Sequence, residues 1–247
     1  MLLFLTQDNT VPKIIAGVLL LALITAVVVY LIRADIKEFG QVKQATTRSL
    51  AALSVMAAVS SIAMLLSFEI IPAAFFLKLE FSVLIIFLVF IWFDFKSAII
   101  VSIITNLINY LIKGAVIPFL DQGINFLATL VFLIPFVFVF RKYCLGGRSK
   151  EISCEINFPI SKMIITGVVS VVVTTIVMLI INLLIIFPIY NTLSPGFIDG
   201  VLKAVSDNRF IAILSTFGLF NVIHWGSIAV VIVLFGRRLV KLREYIR

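Results

Sequence analysis

A chain of 247 residues that is 62% hydrophobic and only 13% charged, with a mean hydropathy of +1.24, lies far above the roughly 45–50% apolar content of soluble domains and reads as an integral membrane protein. Runs of about 20 apolar residues, each able to cross a hydrocarbon core roughly 30 Å thick, point to an all-α polytopic bundle, and the alternation of a membrane β-barrel is absent. The net charge of +8 is expected to set topology in the bilayer, not to bind nucleic acid.

The first apolar run, 14–32, continues for a full span and lacks the layout of a cleavable signal, so it is expected to stay as a transmembrane helix. A polar connector, "RADIKEFGQVKQATTRS", follows and reads as an amphipathic or loop segment on the cytoplasmic surface. Six more apolar segments come at 50–67, 81–93, 97–113, 122–140, 163–188 and 210–235. The segment 81–93 is short: as a helix it covers only about 20 Å, so it is expected either to be extended at one end or to lie inside the bundle. The expected division is therefore an additional N-terminal transmembrane helix with its connector over 1–49 and a six-helix membrane domain over 50–247.

Fifteen of the Lys and Arg residues fall in the connections 33–48, 94–96, 141–162 and 236–247, and five, Lys13, Lys78, Lys113, Lys203 and Arg209, on the opposite side. This bias expects the N-terminus outside and the C-terminus in the cytoplasm of a cell-membrane protein. Cys144 and Cys154 share one connection with a Gly-Gly pair and read as reduced thiols, too few for a structural zinc site.

Polar residues within the spans are unevenly distributed. Helix 50–67 carries Ser54 with Ala58 and Ala57 with Ser61 at a spacing of four. Such pairs let another backbone approach closely, either within the bundle or on a partner membrane subunit. Asn106, Asn109, Asn125 and Asn182 all lie toward the outer ends of their spans, and Asn221 and His224 share one face near the middle of the last. Buried amides need partners, so these groups either join helices to one another or line a pocket open to the exterior. The outer segment "FEIIPAAFFLKLE", with Phe68, Lys78 and Glu80, is placed to cover such a pocket, and 189–209, with Pro195, Gly196 and Gly200, suits a turn-rich cap. Lys78 and Glu80 either anchor that cover, meet polar parts of a ligand, or form an exposed surface pair.

Several chemistries lack their residues. A single histidine cannot supply a helix-borne zinc protease motif, and no Walker A sequence occurs. The spans contain essentially no acids, against a proton-relay or sodium-coupled carrier. His224 reads as a histidine satisfied by Asn221 or by a ligand, without the paired nucleophile an intramembrane enzyme requires. No enzyme activity, metal or cofactor is expected in this chain, and any transport must draw its energy elsewhere.

The stretches "LKLEFSVLIIF", "NLINYLIKG", "NFLATLVFLIPFVFVFRK", "INLLIIFPIYN" and "FNVIHWGS", in this order from about residue 50 to 240, resemble the substrate-binding S components of energy-coupling factor (ECF) vitamin transporters, riboflavin-type members most closely. The resemblance implies a six-helix protein that captures a vitamin from outside and associates with a transmembrane coupling subunit and two ATPase subunits, which use the ATP. It implies that Ser54, Ala57, Ala58 and Ser61 contact the coupling subunit, and that the outer loop and outer helix halves wall the pocket. Asn182 and Asn221 match asparagines of the riboflavin-type pattern, whereas His224, followed by Trp225, stands where that pattern has lysine. Riboflavin is the first expectation for the substrate, and pantothenate, folate or another small vitamin or nucleobase the alternative. A non-transporting membrane scaffold, with asparagines that only join helices, is the reading of a different class.

Overall fold

A computed structural model of the protein describes residues 15, 19, 22, 24–33, 47–69, 78–114, 120–144, 159–189, 196–203 and 205–246. Within them the apolar segments are helices. Most of the connector after the first span, residues 70–77 of the outer segment, Cys154 and Pro195 lie outside the described residues.

The first helix, α1 (Ile24–Arg33), places Ile24, Val28 and Leu31 in the common hydrophobic core, a spacing of four and three that keeps them on one face. Next come α2 (Thr47–Leu65), strands β1 (Phe68–Glu69) and β2 (Lys78–Leu79), α3 (Ser82–Trp92) and α4 (Phe95–Lys113). The strands pair antiparallel, Phe68 with Leu79 and Glu69 with Lys78. The chain continues through α5 (Leu120–Cys144), α6 (Ile160–Ile181), a short α7 (Phe197–Lys203), α8 (Arg209–Ile213) and α9 (Leu219–Ile246). Among the described residues, five stretches are long and apolar enough to cross a membrane: Thr47–Leu65, Phe95–Lys113, Leu120–Phe140, Ile160–Ile189 and Phe210–Gly236.

The eleven residues of α3 make a helix only about 16 Å long. Of the two outcomes expected for this segment, the structure takes the second. Val83, Ile86, Phe87, Val89, Phe90 and Ile91 are all buried, and α2, α4 and α9 pack around the helix, so neighbouring side chains stand where lipid would otherwise meet its ends. The tight turn to α4 is set by Asp94, whose carboxylate accepts the Ser97 backbone N–H at 2.6 Å and satisfies one of the open donors of the helix start. Gly114, at φ 69°, closes α4 in the left-handed region that a side chain would resist.

Two helices loosen into π-helical turns, α6 at Asn182–Ile186 and the segment between α8 and α9 at Leu214–Gly218. Phe187 and Phe217 pack edge to face at 4.9 Å between them. Elsewhere the core is aromatic: Phe87, Phe90, Phe95, Phe136 and Phe140 form a run of tilted and edge-on contacts, and Phe132 stacks on Trp225 at 5.0 Å.

Candidate functional site

The C-terminal ends of α2 and α4, the start of α5, the end of α6 and the first turns of α9 converge around a cavity of about 560 Å³, within the size range of small-molecule pockets. Antiparallel packing brings these ends together at one end of the bundle. There α4 contributes Asn109 and Lys113, and α5 contributes Gln122 and Asn125. From α6 comes Asn182, from α9 Asn221 and His224, and from the β2 to α3 connection Lys78 and Glu80. Met64, Ile124, Met178, Ile186, Phe220 and Trp225 supply the apolar wall.

Glu80 organises the floor. It is 6% exposed, and its carboxylate accepts from Asn125 Nδ2 at 2.6 Å and Ser82 Oγ at 3.4 Å. Its backbone oxygen meets His224 Nε2 at 3.1 Å, so residue 80 ties the connection ahead of α3 to α5 and α9. Burial pushes the carboxyl up to about 7, against the opposing effects of the Asn125 and Ser82 hydrogen bonds and the Lys113 charge. Glu80 and exposed Lys78 are therefore not an exposed surface pair: one is inside, the other at the rim.

The His224 ring lies parallel to Trp225 at 4.8 Å and edge-on to Phe220 at 5.6 Å. Asn221 is fully engaged, its Nδ2 donating to the Phe217 carbonyl at 2.7 Å and its Oδ1 accepting from Trp225 Nε1 at 3.2 Å. Instead of bonding Asn221, as one expectation had it, the histidine reaches across to the Glu80 carbonyl.

Seven of the nine residues expected to bind a ligand line the cavity: Asn182, Asn221, His224, Asn125, Asn109, Lys78 and Glu80. Asn106 lies deeper on α4, where its Nδ2 returns to the Ser102 carbonyl at 2.8 Å and its Oδ1 is buried without a partner. Phe68 is 62% exposed on β1 and does not line the cavity. Lys113 was not anticipated: its Nζ donates to the Leu65 carbonyl at 2.7 Å and to Ser67 Oγ at 2.9 Å, tying the ends of α2 and α4. Its spacing of four from Asn109 was the available signal. Gln122, three before Asn125, was missed despite the same kind of signal.

The small residues of α2 divide. Ala57 and Ser61 are buried in the bundle, whereas Ser54 and Ala58 face outward. Among the described residues, no group of three His, Cys, Asp or Glu side chains is placed to hold a metal.

A family model described as "ECF transporter, substrate-specific component" matches residues 48–235. A riboflavin transporter, RibU of Streptococcus thermophilus, is 37% identical over 97 residues, 39% of this chain and 46% of that protein, so the match spans just under half of the relative's length. A solved structure described as the S component of a bacterial ECF transporter superposes with a TM-score of 0.56 at 23% identity, covering 80% of this chain and 98% of the other. That likeness shows a common all-helical membrane fold.

Proposed function

The chain belongs to the family of ECF transporter substrate-specific components, and on that premise we propose that it captures riboflavin from the extracellular side. It then delivers the vitamin through a transmembrane coupling subunit powered by two ATPase subunits. The observation that carries this reading is the cavity of about 560 Å³ at one end of the bundle, with polar groups from four helices and an apolar wall that includes Phe220 and Trp225. Such a lining suits a flat ring system bearing a polar chain. The partial match to a riboflavin transporter supports the choice of vitamin, and the excess of Lys and Arg in the opposite set of connections supports an outward-facing mouth.

In this reading the aromatic and sulfur-bearing side chains cover the ring faces, and the amides and Glu80 take the polar edge. Residues 1–49 are, in this reading, an addition to the six-helix binding domain of 50–247, and α1 packs on its core through Ile24, Val28 and Leu31. His224 in place of lysine favours a second reading within the same class, a pocket for another small vitamin such as pantothenate or folate. Absorbance and native mass spectrometry of the detergent-purified chain decide between them. The expected result is a co-purifying or titratable flavin, one per chain. A colourless vitamin of another mass moves the substrate, and a folded protein that binds no member of a vitamin panel overturns the proposal.

A further inference from the structure

The hydrogen-bond polarity of the cavity narrows what it can hold. A backbone carbonyl only accepts, so any side chain bonded to one must be donating, which fixes amide orientation and histidine tautomer by chemistry. Asn182 Nδ2 donates to the Met178 carbonyl at 2.8 Å, and Gln122 Nε2 to the Gly114 carbonyl at 3.3 Å. His224 must carry its proton on Nε2 to meet the Glu80 carbonyl at 3.1 Å, which makes Nδ1 of the neutral ring an acceptor. Lys113 already donates to the Leu65 carbonyl and to Ser67.

One N–H of each of these amides, the single N–H of the neutral His224 ring and two of the three of Lys113 are thus spent on the protein, and the amide oxygens and His224 Nδ1 remain as acceptors. Asn109 Oδ1 and Gln122 Oε1 are buried with no hydrogen-bond partner, and both residues line the cavity. A stranded acceptor of this kind is costly until a donor reaches it. Resting on the vitamin-binding reading above, we propose that this site selects its ligand by hydrogen-bond donors, taking ring N–H and hydroxyl groups onto Asn109, Gln122, Asn182 and His224 as acceptors. The histidine thereby reverses the polarity of the position where riboflavin-type members have a donating lysine.

Riboflavin offers donors of both kinds, an imide N–H on the ring and hydroxyls on the ribityl chain. The test titrates the detergent-purified full chain with riboflavin, with 3-methylriboflavin, which lacks the imide N–H, and with lumiflavin, which lacks the ribityl hydroxyls. Each analogue is expected to bind at least about tenfold more weakly than riboflavin, because it leaves a buried acceptor unmet. A loss with only one analogue supports the assignment and identifies the donor that is read. Affinities for both analogues within about threefold of riboflavin's overturn it while leaving the vitamin reading intact. Absence of riboflavin binding, in a protein that still melts cooperatively, overturns the flavin reading and this assignment together. Gln122→Met, which keeps the side-chain length and removes the acceptor together with the bond to the Gly114 carbonyl, is expected to weaken riboflavin at least about fivefold; unchanged affinity removes Gln122 from the set.

Discussion

Glu80 shows how a charged residue is accommodated beside a membrane helix. Its carboxylate is held by Asn125 and Ser82 and its carbonyl by His224, yet burial still raises its affinity for a proton to a pKa of about 7, from an ordinary value of 4.5. A folded state that holds a proton more tightly than the unfolded chain loses stability with rising pH wherever only the folded form is protonated. The contribution of that proton is complete below about pH 4.5 and is lost as pH rises toward 7. The melting temperature of the ligand-free protein in detergent is therefore expected to fall across this window and to level off above it. Glu80→Gln, which cannot ionise, is expected to flatten the dependence; an unchanged slope in the variant would assign it to another group. Neither the depth of Glu80 nor its partners could be read locally, because Asn125 is 45 residues away and His224 is 144.

Among the helices, α6 and α9 make the most extensive contact, and Gly167 is central to it. A Cβ there would meet Val233 Cγ2 at 3.5 Å and Ala229 Cβ at 3.6 Å, ordinary van der Waals distances that leave space for one methyl. Gly167→Ala is expected to be tolerated. Gly167→Leu is expected to push the helices apart and cost about 1–3 kcal/mol, as overpacked cores do, seen as a lower melting temperature. Equal melting of the two variants would show that the interface can open without penalty. The π-helical turn at Asn182–Ile186 carries the cavity residues Asn182 and Ile186, and the one at Leu214–Gly218 precedes Asn221. No residue type announces them, since a π turn arises from packing on neighbouring helices and has no strong propensity signal of its own.

In the assembled bundle, α2 presents two different small-residue faces. Ala57 and Ser61 are spent on internal packing, while Ser54 and Ala58 remain outside, so the proposed coupling-subunit contact belongs to the outward pair. Ala58→Leu is expected to leave ligand affinity and melting unchanged and to reduce co-purification with the coupling subunit by at least about fivefold, because a bulky side chain keeps backbones from approaching. Ala57→Leu, pointing into the core, is expected to lower the melting temperature. Full assembly of the Ala58 variant would exclude that face from the contact.

The membrane class and the helical segments were legible in the sequence, because burial in lipid demands long apolar runs whose backbone groups are satisfied within each segment. The excess of amides toward one end was legible too, since polar side chains in such runs need a reason. Tertiary structure decided the rest. It placed short α3 inside the bundle, drew Glu80 under the cavity, sent Asn106 deeper than the pocket and brought in Lys113 and Gln122. It also turned the Asn182 and Gln122 amides and the His224 ring so that one donor of each serves the protein. Each of these outcomes depends on which helix faces meet, and spacing along one helix fixes a face without naming its neighbour.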